Sequence, residues 1–381
     1  MIPRGDAVAL LDALVRTDSR NPSLVPGAPG EGEIARRLAG VLESWGLETS
    51  VMECAPGRPN VVARRRGSGG GRSLMLNGHL DVVGTDGMQH APFDAERRDG
   101  RLFGRGAADM KGGVAAMCAA VARLPRLAGD VIVAAVCDEE WQSIGTASLL
   151  HAGVRADAAI VTEPTGLAIM PAHKGFVWAE LRTAGRAAHG SRWDLGVDAI
   201  RHAGALLREL DALDVSLAAQ AHPLLGRASL HASTIEGGTG MSTYPDRCVL
   251  RVERRTLPGE SVESVRRELE VALASAGHGL QEFHAELDIL FSQPPSDVAV
   301  DSPLVQALAS TLAEHGLPTG CAGMSAWTDA ALLNEAGIPA ICFGPGDMGL
   351  AHAAEEYIET AQVERAADVL AALAQRWCQA R

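Results

Sequence analysis

The pattern of hydrophobic and polar positions predicts an α/β protein. Between residues 30 and 175, helical periodicity alternates with short apolar runs. Alternating helices and apolar strands are typical of a sheet that is covered on both faces. The predicted elements of this first part are Glu31–Trp45, Gly112–Leu124 (helices), Ser73–Leu76, Val131–Cys137 and Ala158–Val161 (strands). The same pattern returns near the C-terminus, with helices Leu304–His315 and Thr328–Ala336, strand Ala340–Phe343 and a helix from Ala361.

A different pattern occupies the middle of the chain. Phe176–Thr183 alternates apolar and polar residues, as expected for a strand with one face in water. The predicted elements after it are helix Val197–Ala212, strands Ala228–Ile235 and Arg247–Thr256, helix Ser261–Ala276 and a strand near Phe283–Ile289. This β-α-β-β-α-β order is that of a split βαβ unit. We therefore expect a first domain formed by 1–175 and 293–381, with a second domain, 176–292, inserted into it.

Composition argues against nucleic-acid and membrane partners. The 381 residues carry a formal net charge of −13, which repels phosphate backbones and anionic lipid. The longest apolar run, Val131–Cys137, is far shorter than the ~20 residues that span a bilayer. The N-terminal MIPRGDAVALLDALV predicts an amphipathic helix rather than a signal peptide. The seven cysteines are odd in number, scattered and without a C-x-x-C motif, which favours reduced thiols in a cytoplasmic protein.

Potential metal ligands follow four of the predicted strands. In open α/β sheets, ligands bind where the carboxyl ends of the strands converge. Each cluster alone is a weak signal, but their shared position favours metal chemistry. In chain order the strands lead into His79-Leu80-Asp81, Asp138-Glu139-Glu140, Glu163 and, after a longer interval, His352. A fifth candidate, Asp109, lies in a glycine-bordered loop before an Ala-rich helix, where its alternative role is that of an N-cap.

These residues lie in motifs that resemble the M20 metallopeptidases and deacylases, which include acetylornithine deacetylase and succinyl-diaminopimelate desuccinylase. The resemblance extends over essentially the whole chain and in family order. It rests on NGHLDVV, GRGAADMKGG, DEE, TEPT, GRAAHGS, IEGGTG, RRTLPGE, TDAALL, GIPAICFGPG and AHAAEEYI. It implies a dizinc exopeptidase-like catalytic domain, a mixed sheet flanked by helices, with an inserted ferredoxin-like lid and dimerisation domain.

The resemblance also implies a co-catalytic site with two Zn²⁺ per subunit, for which Co²⁺ or Mn²⁺ can substitute. His79, Asp109 and Glu163 would hold one ion, and Asp109, Glu140 and His352 the other. A carboxylate that bridges two ions with its two oxygens suits the ~3.5–4 Å spacing of two-metal sites. Asp81 would accept the second imidazole N–H of His79, and Glu139 would be the general base on the metal-bound water. In an extended segment, Glu139 and Glu140 would point in opposite directions.

Further roles are implied for residues in the inserted domain. His189 resembles the family histidine that stabilises the oxyanion, usually from the partner subunit of a homodimer formed through the lid. Arg255 resembles the arginine that binds the substrate carboxylate, a task suited to its bidentate fork. Ser242 stands where many members have Asn, so its shorter side chain puts that contact in question. Lys174, one of only two lysines among 34 basic residues, is a candidate contact for a substrate anion; Lys111, the other, is expected to support the Asp109 loop.

Three functions are compatible with these motifs. The first is a metal-dependent amidohydrolase that removes an acetyl- or succinyl-like group from an N-acyl amino acid by attack of a metal-bound hydroxide. Glu163 favours it, because Asp is commoner at this position in the peptidase members. The second is a dipeptidase or glutamate-carboxypeptidase-like enzyme acting on a small peptide. The third is a catalytically inactive binding protein, which the intact set of ligands disfavours.

Overall fold

The computed structural model describes residues 1–379 and divides the chain into two compact units. The first unit comprises Met1–Pro171, Val298–Ala322 and the chain from Thr328 onward. The second comprises Ala172–Asp297 and a short return segment, Gly323–Trp327. The expected insert 176–292 lies inside the second unit, which is slightly longer at both ends.

The chain begins with helices and strands that alternate up to His173. Helix α1 spans Ala7–Val15 and starts where the Asp6 carboxylate accepts a hydrogen bond from the Ala9 N–H at 2.8 Å, a favoured N-cap. The elements that follow are α2 (Gly32–Ser44), β1 (Glu48–Ala55), β2 (Arg58–Arg65), β3 (Leu74–His79), β4 (Glu96–Arg98), β5 (Arg101–Phe103), α3 (Gly112–Arg123), β6 (Val131–Val136), α4 (Ile144–His151), β7 (Ala158–Val161) and β8 (Ile169–His173).

The second unit has the β-α-β-β-α-β order that the periodicity predicts. Its elements are β9 (Gly175–Ala184), α5 (Ala199–Leu217), β10 (Ala221–His222), β11 (Gly226–Arg227), β12 (Ser229–Gly237), β13 (Arg247–Thr256), α6 (Val262–Ala276), β14 (His284–Gln293) and β15 (Ser296–Asp297). The main sheet is antiparallel in the order β12-β13-β9-β14. Alternate β9 residues pack with α5 and α6, which leaves the other face of the strand half-buried.

The elements that follow lie in the first unit, except that one strand ends in the return segment Gly323–Trp327 of the second unit. They are α7 (Pro303–Glu314), β16 (Cys321–Met324), α8 (Ala330–Glu335), β17 (Ala340–Cys342), β18 (Tyr357–Glu359) and α9 (Thr360–Trp377). The large sheet continues through the first unit in the order β1-β2-β6-β3-β7-β17-β8. Strands β6, β3, β7 and β17 are parallel, whereas the pairs β1–β2, β2–β6 and β17–β8 are antiparallel. Helices α1, α2, α3, α7 and α9 share one hydrophobic core with alternate sheet residues, while α4 and α8 contact β2, β7 and β17. The predicted mixed sheet flanked by helices is confirmed.

The β1–β2 hairpin is the main element that the sequence pattern missed. Residues of β1 are exposed or half-buried along its whole length, because β1 lies at the edge of the sheet. Without a buried face, the strand has no regular apolar alternation for a pattern to detect. Among residues 1–379, no helix is long and apolar enough to cross a membrane.

Helix α3 packs unusually close to the end of β7. A Cβ atom placed on Gly113 would lie 1.9 Å from the Thr162 carbonyl oxygen, far inside van der Waals contact. Gly113 therefore permits an approach that no other residue allows. Because Asp109 precedes α3 and Glu163 follows Thr162, this contact brings two of the predicted ligands together.

We expect Gly113→Ala to lower the free energy of unfolding by ~1–3 kcal/mol, the usual cost of overpacking. Its neighbour is a main-chain carbonyl that cannot rotate away, so the helix must shift. Gly40→Ala is the control, because Gly40 is an exposed helical position in α2 of the same unit, where an added Cβ would have no other atom within 4 Å. Urea unfolding would compare the two variants, and equal stabilities would contradict the close packing.

Candidate active site

The predicted ligands converge at one edge of the large sheet. His79 is the last residue of β3, the Glu139–Glu140 pair follows β6, Glu163 follows β7 and His352 lies beyond β17. These strands are parallel neighbours, so their carboxyl ends meet at the same edge. Asp109 reaches the same place from the loop before α3.

Asp109 lies between the two histidines. Its Oδ1 is 3.2 Å from His79 Nε2, and its Oδ2 is 3.4 Å from His352 Nε2. His352 Nε2 is also 3.1 Å from Glu140 Oε2. The two oxygens of one carboxylate thus face different imidazoles, as a bridging ligand requires.

Carboxylates surround the buried imidazole of His79. Its ligand atom lies with those of Glu139 and Glu163 in one group, and with those of Asp109 and Glu140 in another; within each group all ligand atoms lie within 4.8 Å of one another. The shortest separation from His79 Nε2 to Glu139 Oε2 is 4.0 Å. Glu139 therefore contributes to the cluster itself, beside the predicted ligands.

The electrostatics of this cluster favour a cation. Burial raises the pKa values of Glu139, Glu140 and Glu163, and neighbouring carboxylates raise them further. Burial alone would lower the pKa of His79. The hydrogen bond to Asp109 and the charges of the surrounding carboxylates have a larger, opposite effect, so the pKa lies well above its ordinary value. Hydrogen bonds to Asp109 and Glu140 raise the pKa of His352 to about 10. The raised pKa values of both imidazoles reflect the concentration of negative charge around them, which a bound cation would neutralise.

The donor set fits a pair of divalent transition-metal ions. Imidazole nitrogens combined with carboxylate oxygens are ligands that zinc accepts, and cobalt and manganese bind to the same types. A divalent ion would offset the mutual repulsion of these carboxylates, the repulsion that contributes to their raised pKa values. His79, Asp109 and Glu163 could hold one ion, and Asp109, Glu140 and His352 the other.

The segment that carries Glu139 and Glu140 is a turn, which corrects the expectation of an extended segment. Asp138 has a positive φ of 65°, and its carbonyl accepts a hydrogen bond from the Ser143 N–H at 2.6 Å. The N–H groups of Glu139 and Glu140 donate to the two oxygens of the Asp81 carboxylate at 3.1 and 3.2 Å. The turn, not strand alternation, determines where the two glutamates point.

Asp81 also differs in detail from its expected contact. His79 Nδ1 lies 2.8 Å from the main-chain carbonyl of Asp81, whereas the Asp81 carboxylate is 3.7 Å away. The carbonyl therefore fixes the imidazole, and the carboxylate is used to hold the Glu139–Glu140 segment. Both interactions are buried.

Glu356 holds the Asp109 loop and was not among the predicted site residues. Its fully buried carboxylate accepts hydrogen bonds from the N–H groups of Gly106, Ala108 and Asp109 at 3.0–3.1 Å, and from Arg105 Nη1 at 2.6 Å. Its position in the motif AHAAEEYI, four residues after His352, was the available signal. Lys111, expected to support this loop, is buried and donates to the Thr17 carbonyl at 2.9 Å.

The other predicted residues belong to the second unit. His189 is exposed, with its Nδ1 2.9 Å from Ser191 Oγ. The neighbouring Gly190 N–H donates to the Ser242 carbonyl at 2.7 Å, so the loops of His189 and Ser242 are adjacent. Lys174 Nζ donates to the Arg227 carbonyl at 2.6 Å, and Arg255 Nε donates to Glu253 at 2.6 Å. Both cations already have protein partners.

Comparison with known proteins identifies the family. The model of peptidase family M20/M25/M40 matches residues 75–376. The chain belongs to this family. It is 32% identical over 329 residues to acetylornithine deacetylase of Myxococcus xanthus, covering 84% of this chain and 85% of the relative. It is 30% identical over 409 residues to N-formyl-4-amino-5-aminomethyl-2-methylpyrimidine deformylase of Halalkalibacterium halodurans, covering 97% and 94%.

Solved structures of the M20 family share the fold. A tripeptidase from Staphylococcus aureus superposes with a TM-score of 0.81 at 20% identity, covering all of this chain and 98% of that one. A dinuclear metal-binding M20 peptidase from Bacillus subtilis gives a TM-score of 0.72 at 18% identity, covering 97% and 96%. The predicted family membership is confirmed, and this M20 protein is a hydrolase of amide bonds.

The assignment of His352 can be tested by metal content. We expect His352→Asn to retain one Zn²⁺ per chain where the wild type retains two, because the amide is too short to reach Asp109 and Glu140. Asn suits the positive φ of 60° at this position, so the backbone is preserved. Elemental analysis after dialysis would measure the ratio, with the exposed His151→Ala as control. Two ions bound with wild-type affinity would contradict the assignment.

Proposed function

We propose that this M20 enzyme removes an acyl group from an N-acyl amino acid and uses two Zn²⁺ per subunit, replaceable by Co²⁺ or Mn²⁺. The observation that carries the proposal is the pair of relatives at 30% identity or more, a deacetylase and a deformylase. Both names describe removal of a small acyl group from nitrogen. Glu163 adds support, because the deacylase members of the family typically have Glu at this position.

A hydrolysis screen tests the substrate class. N-acetyl, N-succinyl and N-formyl amino acids would be compared with dipeptides, in buffers containing Zn²⁺ or Co²⁺. We expect kcat/KM to be highest for one of the acyl amino acids. Higher kcat/KM for dipeptides would instead assign the enzyme to the peptidase alternative, and no turnover of any substrate by metal-loaded protein would favour a binding protein.

Different side chains of the cluster would have different roles in the reaction. Divalent ions held by His79, Asp109, Glu140, Glu163 and His352 would supply Lewis acidity, which polarises the acyl oxygen and lowers the pKa of water. Glu139 accepts the proton of the attacking water and transfers it to the leaving amine nitrogen. Burial raises the pKa of Glu139, which suits a group that alternately holds and releases a proton.

Residues of the second unit would bind the rest of the substrate. Arg255 would bind the amino-acid carboxylate, since only its Nε is occupied by Glu253 in the described hydrogen bonds of residues 1–379. His189 would donate a hydrogen bond to the tetrahedral oxyanion. Ser242, in the loop beside His189, and Lys174, beside a group of arginines, are candidates for further contacts with the substrate. Such small-molecule substrates suit a cytoplasmic enzyme.

Replacing the proposed base separates catalysis from metal binding. We expect Glu139→Gln to lower kcat by ~100-fold or more, because a general base usually contributes about 10²- to 10⁴-fold, while two Zn²⁺ per chain remain bound. Glu355→Gln is the control, because Glu355 is exposed and lies close to His352 in sequence. Activity assays and elemental analysis would be run on the same samples. Loss of one ion from Glu139→Gln would identify Glu139 as a ligand and refute its role as base.

We further propose a homodimer formed through the second unit. Strand β12 lies at the sheet edge and is exposed from His231 to Gly237. Large apolar side chains are exposed in the strand itself and just after it, Ile235 at 53% and Met241 at 103%. An exposed edge strand beside apolar surface is suited to pairing with a second copy about a two-fold axis. By resemblance to the family, each His189 would serve the partner's metal site.

Mixed dimers test this arrangement. His189→Ala and Glu139→Gln chains should each be inactive alone, whereas co-refolding them should restore part of the activity, because one site in each mixed dimer combines an intact Glu139 with an intact His189. Differently tagged chains would allow mixed dimers to be isolated. The two variants kept as separate homodimers and then mixed without unfolding serve as control. Inactive mixed dimers would show that His189 does not act across the interface.

A further inference from the structure

Arg58 lies beneath the metal-ligand cluster and has no role in the family resemblance described above. It is the first residue of β2, and its side chain is 9% exposed. Its guanidinium donates through Nη2 to Glu31 Oε1 at 2.6 Å and to Asp138 Oδ1 at 2.9 Å, while Nε donates to the second oxygen of Glu31. Glu31 and Asp138 are also buried. One arginine thus joins two carboxylates from distant parts of the chain.

The second of these carboxylates belongs to a residue with an unfavourable backbone. Asp138 has a φ of 65°, in the left-handed region that non-glycine residues other than Asn and Asp seldom adopt. Its N–H donates to Glu31 Oε1 at 3.1 Å, so Glu31 holds both the main chain of Asp138 and the arginine that holds its side chain. The backbone conformation of Asp138 is therefore held both through its N–H, by Glu31, and through its carboxylate, by Arg58.

The bend at Asp138 determines the position of the next two residues. The N–H groups of Asp138, Glu139 and Glu140 all donate to buried carboxylates, the first to Glu31 and the other two to Asp81. Asn21 links Asp81 to Asp138, because its Nδ2 donates to the Asp81 carboxylate at 2.8 Å and to the Asp138 carboxylate at 3.0 Å. A displaced Asp138 would therefore move both glutamates.

We propose that Arg58 is a positioning residue of the active site: by binding Glu31 and Asp138 together, it sets the left-handed turn that places Glu139 and Glu140. The proposal rests on the proposed function in taking Glu139 as base and Glu140 as ligand. A residue that acts in this way affects turnover and metal binding, whereas a residue that only stabilises the fold affects the folded fraction.

Arg58→Lys is the first test, since it keeps the charge but removes the fork that spans two carboxylates. We expect kcat to fall ~10- to 100-fold with a smaller change in KM, and one of two Co²⁺ ions to bind ~10- to 100-fold more weakly, as for other groups that orient metal ligands. The visible spectrum of the Co²⁺-loaded protein should change as well. Arg64→Lys is the matched control: it lies on the same strand, and its guanidinium pairs with Asp130 at 3.1 Å, away from the site.

A series at Asp138 separates the arginine contact from backbone conformation. Asp138→Gly permits the positive φ but offers Arg58 no acceptor, whereas Asp138→Asn permits the φ and retains an amide oxygen for Arg58. We expect Asp138→Gly to match Arg58→Lys in kcat and in the Co²⁺ spectrum. Asp138→Asn should show a smaller fall in kcat and a smaller change in the spectrum. Both substitutions remove the contact between residue 58 and the Asp138 carboxylate. The double variant Arg58→Lys/Asp138→Gly should therefore have a kcat only slightly below that of Asp138→Gly alone.

The outcomes are distinct. Wild-type kcat and Co²⁺ spectrum in folded Arg58→Lys would overturn the proposal. If Arg58→Lys does not fold, the Asp138 series decides, and equal, wild-type-like behaviour of its Gly and Asn variants would overturn it. Absence of Co²⁺ binding by the wild-type protein would refute the proposed function itself, whereas a wild type that binds Co²⁺ but hydrolyses other amides leaves the positioning role to be judged by the spectra.

Discussion

Buried negative charge is the constraint on which the rest of this active site depends. Asp109, Glu139, Glu140 and Glu163 meet at one sheet edge; Asp109 and Glu163 are buried and the other two are half-buried, so little water screens their repulsion. An ionised carboxylate without water or a partner is costly, and several together are more so. The structure tolerates the cluster because two histidines lie within it and because the donor set is suited to divalent cations.

A second set of buried carboxylates supports the first and is fully paired. Asp81 and Glu356 accept hydrogen bonds from main-chain N–H groups on either side of the site, and Glu31 binds Arg58. Each of these carboxylates holds a backbone segment that contains or directly precedes a proposed ligand. The supporting carboxylates thus have main-chain and arginine partners, whereas those facing the centre lie close to one another and to the two imidazoles. In the proposed function, this difference separates the residues that build the site from the residues that would bind metal or transfer a proton.

The use of Arg and Lys follows the same geometry. Arg58 and Arg105 each present a planar fork to buried acceptors, and the fork allows one cation to reach several oxygens at once. Lys111 instead has a narrow position beneath Gly106, where a Cβ would come within 3.1 Å of its Cδ atom, and it donates one hydrogen bond to a carbonyl. Burial lowers the pKa of Lys111 to about 7. A compact ammonium fits this space, which agrees with the rarity of Lys in the chain.

The sequence by itself determined the family, the α/β fold, the order of the main helices and strands and the strand ends at which the proposed ligands lie. These follow from local periodicity and short motifs, which need no knowledge of distant contacts. Strand β1 was not predicted because this edge strand has no buried face to produce a pattern. Only the tertiary structure decided that Glu139 and Glu140 lie in a turn and that Asp81 holds this turn by its carboxylate.

The same holds for the supporting residues. Arg58 and Asp138 are 80 positions apart, and Arg105 and Glu356 are 251 apart. Nothing in the local sequence marks these charges as partners, because an isolated Arg or Glu is most often solvated on a surface. They become partners only when folding removes the water that would otherwise satisfy each of them.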